Sequence, residues 1–132
     1  MNDAQLLRLS NLEMALTDAY SKDTSSDSTN WSPENPAMGQ CAVTALIVND
    51  YFNGKIVWAN ALLPDGKNIS HYFNNIDGIE IDLTRKQFPK GTIIHSGVDK
   101  TKGFQTTRDY ILSYQSTKER YELLKQLIRN NN

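Results

Sequence analysis

Residues 35–45 read Asn-Pro-Ala-Met-Gly-Gln-Cys-Ala-Val-Thr-Ala, in which a loop containing Pro36 and Gly39 leads directly into an apolar helix. The only cysteine of the chain, Cys41, stands where this helix is predicted to begin. Unpaired backbone N–H groups and the helix dipole favour an anion there, so a thiol at that position ionises easily. Because a thiolate is a nucleophile, the sequence predicts a reactive Cys41. The alternative is a small hydrophobic side chain packed in a buried helix.

A histidine and an aspartate follow on two segments that are predicted to be adjoining strands. Asp77-Gly78 stands between these segments and is a favoured pair for a two-residue hairpin turn. In the register that this turn sets, His71 and Asp82 are diagonal neighbours on one face of the sheet. We therefore expect a hydrogen bond between the imidazole and the carboxylate.

These side chains have complementary roles in acyl transfer, which predicts a catalytic triad. Cys41 attacks an acyl carbon, His71 pairs with the thiolate and protonates the leaving group, and Asp82 orients the imidazole. The tetrahedral oxyanion also needs hydrogen-bond donors. The backbone N–H of Cys41 is one candidate donor, and the side-chain amide of Gln40 or of Asn35 is another.

Composition restricts the partners of the chain. With 132 residues we expect one domain, residues 1–132. The chain has 14 Lys and Arg and 15 Asp and Glu, and its basic residues form no stripe that would bind phosphates. Nucleic acid is therefore not an expected partner. No signal-peptide pattern or membrane-length apolar run is visible, and one cysteine suits a reducing compartment, so we expect a cytoplasmic protein. No cofactor is expected, although His95 with His71 and Asp82 is an alternative metal site.

The periodicity of apolar residues predicts an α+β domain with helices, then an antiparallel sheet, then helices. A capping-box pattern beginning at Ser116 predicts the start of the last helix. Its basic residues are interpreted as a solvated face, namely Lys118, Arg120, Lys125 and Arg129. Residues 21–30 lack apolar side chains and predict an exposed loop, and residues 130–132 are expected to be frayed. The other predicted elements are helices at 3–20, 41–51 and 106–113, and strands at 55–63, 70–76, 79–84 and 92–95.

The triad residues resemble the core of the papain-like and transglutaminase-like cysteine proteins. Over residues 35–84, Cys41 begins a helix, His71 lies in His-Tyr-Phe-Asn, and Asp82 lies in Ile-Asp-Leu-Thr. The resemblance implies a central Cys-bearing helix packed on an antiparallel sheet with flanking helices. Papain-like enzymes carry a Gln six residues before the Cys, and Asn35 occupies that position here.

The chain is also similar to the YunG-like family of small bacterial proteins. The similarity includes Asn-Pro-x-x-Gly-Gln-Cys-Ala-Val-Thr-Ala, Asp-Tyr-Phe-x-Gly and Asp-Leu-Thr-Arg, and it runs from about Trp31 into the last helix. The family name identifies no substrate. We expect a cysteine acyl hydrolase or acyltransferase acting on an amide, isopeptide or thioester in a peptide, protein or small acyl substrate. The alternative is a non-catalytic binding or regulatory module that retains the fold.

Overall fold

A computed structural model describes residues 1–130 and has the predicted α+β order of helices, antiparallel sheet and helices. The last helix ends at Asn130. The other two residues for which we expect fraying, 131 and 132, lie outside the described residues. Short 3-10 helices cover Lys22–Thr24 and Arg85–Gln87. The main elements are α1 (Asp3–Ala19), α2 (Cys41–Phe52), β1 (Lys55–Leu62), β2 (Asn68–Ile76), β3 (Ile79–Ile81), β4 (Ile93–Ile94), α3 (Thr107–Leu112) and α4 (Gln115–Asn130).

The four strands form one antiparallel sheet in the order β3-β2-β1-β4. The two-residue turn between β2 and β3 is confirmed, because Ile76 pairs with Ile79. Asp77 has φ 53° and Gly78 has φ 84°, the positive values that a type I′ hairpin turn requires. The predicted strand 79–84 is too long, since β3 ends at Ile81.

Helix α2 lies against one face of the sheet and forms the centre of the main core. Its residues 43–48 are all buried, as its nearly uniform apolar sequence predicts. Asn74 of β2 donates a side-chain hydrogen bond to the main-chain oxygen of Ala45 at 2.9 Å, which joins the sheet to the helix. Phe73 belongs to the opposite face, where it packs in a smaller cluster with Val57 and Ala59.

The first and last helices complete the main core. Leu16 of α1 and Leu124 and Ile128 of α4 are fully buried in the same cluster as α2. The predicted capping box is wrong, because α4 begins at Gln115 and places Ser116 inside the helix. Among residues 1–130, no helix combines the length and apolar character needed to cross a bilayer.

The loop over residues 21–30 is less exposed than its polar composition predicts. Thr24 and Ser25 are buried, and the Ser25 hydroxyl donates to the main-chain oxygen of Met38 at 2.7 Å. The N–H of Ser26 donates to the carbonyl oxygen of Gly39 at 2.9 Å. These hydrogen bonds satisfy the polar groups inside the protein, so the loop supports the turn that precedes α2.

Candidate active site

His71 and Asp82 form the hydrogen bond that the hairpin register predicts. Nε2 of His71 lies 2.8 Å from Oδ2 of Asp82, and the two side chains are 0% and 8% exposed. Asp82 lies just after the end of β3. Its Oδ2 also accepts from Nε of Arg85 at 3.0 Å, and its Oδ1 accepts from the N–H of Thr84 at 3.3 Å. Three donors therefore hold the carboxylate in one orientation.

Aromatic side chains enclose the imidazole of His71. The ring of Phe73 is stacked on it with centroids 5.5 Å apart, and the ring of Phe88 meets it edge-on at 5.0 Å. The guanidinium of Arg85 lies 5.9 Å from the centre of the Phe73 ring. This packing shields the hydrogen bond between His71 and Asp82 from water, which strengthens its electrostatic component.

The pKa of His71 is raised above its usual value, and the pKa of Asp82 is lowered below its usual value. Burial alone lowers the pKa of His71, but the hydrogen bond to Asp82 and the nearby Cys41 thiol outweigh burial and raise it to about 9. For Asp82, burial raises the pKa, but His71 and then Arg85 outweigh burial and lower it below its usual value. At neutral pH the pair is therefore an imidazolium next to a carboxylate.

Cys41 begins α2 as predicted, and it is half-buried. No side chain caps the N-terminus of α2. Nε2 of His71 is bonded to Asp82, which leaves Nδ1 as the ring nitrogen available to the thiol. Nδ1 is buried and makes no hydrogen bond of normal geometry within residues 1–130. The Cys41 thiol thus lies close enough to His71 to raise its pKa.

The two amides predicted to complete an oxyanion hole are bonded elsewhere. Nε2 of Gln40 donates to the carbonyl oxygen of Ser21 at 3.1 Å, and the residue is fully buried. Nδ2 of Asn35 donates to the carbonyl oxygen of Gln87 at 3.0 Å. Neither Gln40 nor Asn35 lines the cavity next to Cys41. Both amides therefore hold the loops around α2 in place, and the prediction of an amide donor at the thiol is not supported.

Cys41 opens onto a surface cavity of about 290 Å³, which we call the Cys41 groove. Arg120 of α4 belongs to its wall, so interpreting this residue as part of a solvated helix face is wrong. The sequence gives no local signal for this position, because it depends on how α4 packs on α2. The lining residues are Ser26, Cys41, Ala42, Ser70, Tyr72, Lys100, Tyr110, Ile111, Tyr114, Thr117 and Arg120.

His95, which the alternative metal site requires, is exposed in the segment after β4. Over residues 1–130, no group of three or more His, Cys, Asp or Glu side chains has an arrangement that could hold a metal ion.

Comparison with known proteins identifies the family. A family model described as "YunG protein" matches residues 8–132. A Bacillus subtilis (strain 168) protein described as "Uncharacterized protein YunG" is 32% identical over 80 residues, which are 61% of this chain and 63% of the relative. The alignment thus spans less than two thirds of the relative's length. No solved structure matches the chain. The match over residues 8–132 means that the chain belongs to the YunG protein family.

Proposed function

We propose that this protein is a cysteine-dependent acyl hydrolase or acyltransferase of papain-like or transglutaminase-like architecture. Its substrate contains an amide, isopeptide or thioester. The main support is the 2.8 Å hydrogen bond between His71 and Asp82, beside a cysteine that begins a helix and opens onto a groove. A chain with a single cysteine cannot form an internal disulfide, which is typical of a protein that acts in the reducing cytoplasm.

The proposed reaction begins with the Cys41 thiolate. It attacks the acyl carbon and forms a tetrahedral adduct, whose oxyanion accepts from the free N–H groups in the first turn of α2. The adduct collapses to a thioester as the bond to the leaving group breaks, and His71 donates a proton to that group. Water or an acceptor amine then attacks the thioester and loses its proton to His71, and cleavage of the carbon–sulfur bond releases the product and restores the Cys41 thiolate and the protonated His71.

The electrostatics of the buried pair support this division of roles. A cationic His71 stabilises the thiolate before attack and has a proton to give afterwards. Asp82 fixes Nε2 as a donor, so Nδ1 is the nitrogen that exchanges the proton with the sulfur and the leaving group. Arg85 donates to the same carboxylate oxygen, Oδ2, that His71 contacts. His71 is thus protonated at neutral pH and can stabilise an anion on Cys41.

Iodoacetamide alkylation of Cys41 tests the proposal without a known substrate. At pH 6 an unperturbed thiol with a pKa of about 8.5 is less than about 1% ionised, so appreciable alkylation there requires an activated cysteine. We expect His71→Ala to move the pH midpoint of alkylation upward, because the cation that stabilises the thiolate is lost. Asp82→Asn should move it in the same direction by a smaller amount.

The matched control is His95→Ala, which removes an exposed histidine and should leave the midpoint unchanged. Circular dichroism identifies variants that remain folded, since unfolding would expose the thiol and speed the reaction. Equal midpoints in the wild type, His71→Ala and Asp82→Asn would contradict the proposal. That result would instead favour the non-catalytic binding or regulatory module.

A further inference from the structure

The Cys41 groove is positively charged, although the chain as a whole has a net charge of −1. Lys100 and Arg120 line the groove, and its lining residues include no aspartate or glutamate. Neither Lys100 nor Arg120 forms an ion pair with any residue in the described part of the chain. The two cations are therefore not neutralised by neighbouring side chains.

The guanidinium of Arg120 has unused hydrogen-bonding capacity next to the thiol. Nη2 donates to Oγ1 of Thr117 at 3.2 Å, whereas Nη1 is buried without a partner among residues 1–130. Burial lowers the pKa of Arg120, and the nearby Cys41 acts in the opposite direction. Both residues line the same groove. Arg120 is only partly buried and lines the groove, so the accessible part of its guanidinium can form charge-assisted hydrogen bonds with an anionic ligand there.

Lys100 and two tyrosines extend the same surface. The ammonium of Lys100 lies 4.5 Å from the centre of the Trp58 ring, which holds this cation at the wall of the groove. The hydroxyl oxygens of Tyr110 and Tyr114 are 3.1 Å apart. The two hydroxyl groups are hydrogen-bonded to each other, so one O–H of the pair remains to donate to an anionic oxygen beside Lys100 and Arg120.

We infer that the Cys41 groove takes an acyl substrate that carries a carboxylate or a phosphate, which Arg120 and Lys100 bind. This inference rests on the proposed acyl chemistry for its covalent step, whereas the anion site rests on the groove alone. Ligand pockets usually measure about 300–1,000 Å³. The cavity of about 290 Å³ is just below that range, so the bound portion is a small acyl group or an amino-acid-sized unit.

The test compares iodoacetate with iodoacetamide as probes of Cys41. Each reagent loses iodide to the thiolate and leaves a thioether, but only iodoacetate carries a carboxylate. We expect the ratio of the iodoacetate rate to the iodoacetamide rate to be higher for Cys41 than for free glutathione. Arg120→Gln should lower this ratio by about tenfold, the size of one lost charge-assisted hydrogen bond. Lys100→Gln should lower it less, and Arg120→Lys should restore part of it.

Two exposed basic residues of α4 provide matched controls. Arg129→Gln and Lys118→Gln each remove one positive charge outside the groove. They should leave the ratio of the iodoacetate rate to the iodoacetamide rate unchanged. If Arg120→Gln and Lys100→Gln both keep the wild-type ratio, the inference is overturned. It is also overturned if the control variants lower the ratio equally, because the effect would then arise from the overall charge of the protein.

Measuring the ratio at pH 9 separates this inference from the proposed function. An ordinary thiol with a pKa of about 8.5 is mostly ionised at that pH, so the ratio reports on the groove even without an activated cysteine. Failure of the proposed function appears instead as an unchanged pH midpoint in His71→Ala.

Protection of wild-type Cys41 from iodoacetamide then distinguishes the two anions. The rate of alkylation is measured in acetate, inorganic phosphate and chloride at equal ionic strength. The anion that slows alkylation more shows whether the substrate carries a carboxylate or a phosphate. If neither anion protects more than chloride, the anion site is refuted.

Discussion

At the scale of single residues, the two nitrogens of His71 have different environments. Nε2 is bonded to a carboxylate that two further donors hold, whereas Nδ1 is buried without a hydrogen bond among residues 1–130. The first nitrogen fixes the ring, and the second remains available for proton exchange.

The raised pKa of His71 predicts how stability depends on pH. The pKa of His71 is about 9 in the folded protein, whereas an unperturbed histidine, as in the unfolded chain, has a pKa of 6.5. Folding therefore favours the protonated imidazole. This contribution is fully present below pH 6.5 and is lost as the pH rises through 9, by up to about 3 kcal/mol of unfolding free energy. Urea denaturation across this range measures the loss.

A Cys41→Ser background keeps the titration of the thiol out of that measurement. The loss of unfolding free energy should be smaller in Cys41→Ser, because Cys41 is one of the groups that raise the pKa of His71. It should not disappear, because the hydrogen bond to Asp82 still raises this pKa. Adding His71→Gln to Cys41→Ser should abolish the dependence over this pH range. Identical pH profiles for Cys41→Ser with and without His71→Gln would show that the histidine is not the titrating group.

At the scale of elements, the loop before α2 places the thiol by close packing around Gly39. This glycine has φ +72°, and a Cβ on it would lie 2.2 Å from Oγ of Ser25 and 2.8 Å from the nitrogen of Asp27. Side chains rarely adopt this conformation, and here the neighbouring loop also occupies the space that a side chain would need. The position of the α2 N-terminus therefore depends on contacts with residues 25–27.

Gly39→Ala should destabilise the protein more than Gly66→Ala. Both glycines have positive φ, so each substitution carries a backbone strain of about 1–2 kcal/mol. Gly66 has nothing within 4 Å of the added Cβ, whereas Gly39 requires Ser25 and the backbone of Asp27 to move. Thermal unfolding of the two variants measures the difference. Equal losses would mean that residues 25–27 adjust freely and do not support the turn before α2.

The hairpin of β2 and β3 could be predicted from the sequence because its geometry is local. A two-residue turn with Asp77 and Gly78 fixes the pairing, and the pairing places His71 and Asp82 on one face. The amides of Gln40 and Asn35 could not be placed this way. Their partners are main-chain oxygens distant in sequence, and no local pattern indicates those contacts.

At the scale of the whole molecule, α4 closes the main core and also forms one wall of the groove. Leu124 and Ile128 face the core, whereas Arg120 lies beside Cys41. Amphipathic spacing predicts the buried positions of such a helix, because they recur at intervals of three and four residues. It does not predict which polar positions meet a neighbouring element, so the basic wall of the groove was missed.

Leu124→Ala should reduce the unfolding free energy by about 2–5 kcal/mol, because it leaves a cavity between α4 and the rest of the core. Leu7→Ala is the matched control, since Leu7 lies on α1 and is 63% exposed. Its effect should stay within about 0.5 kcal/mol. Guanidinium denaturation compares the two variants. A small loss for Leu124→Ala would show that α4 is only loosely attached, which would also weaken the case for Arg120 as a fixed wall of the groove.

The contribution of α4 to the core has a consequence for synthesis on the ribosome. Cys41, His71 and Asp82 all emerge before α4, but the core that holds α2 against the sheet includes Leu124 and Ile128. Small domains fold cooperatively, so the arrangement of Cys41, His71 and Asp82 forms only once α4 has been made. In the enzyme that we propose, the active site and the groove are therefore completed together. Such an enzyme would be protected from the reactivity of its own nucleophile while its chain is growing.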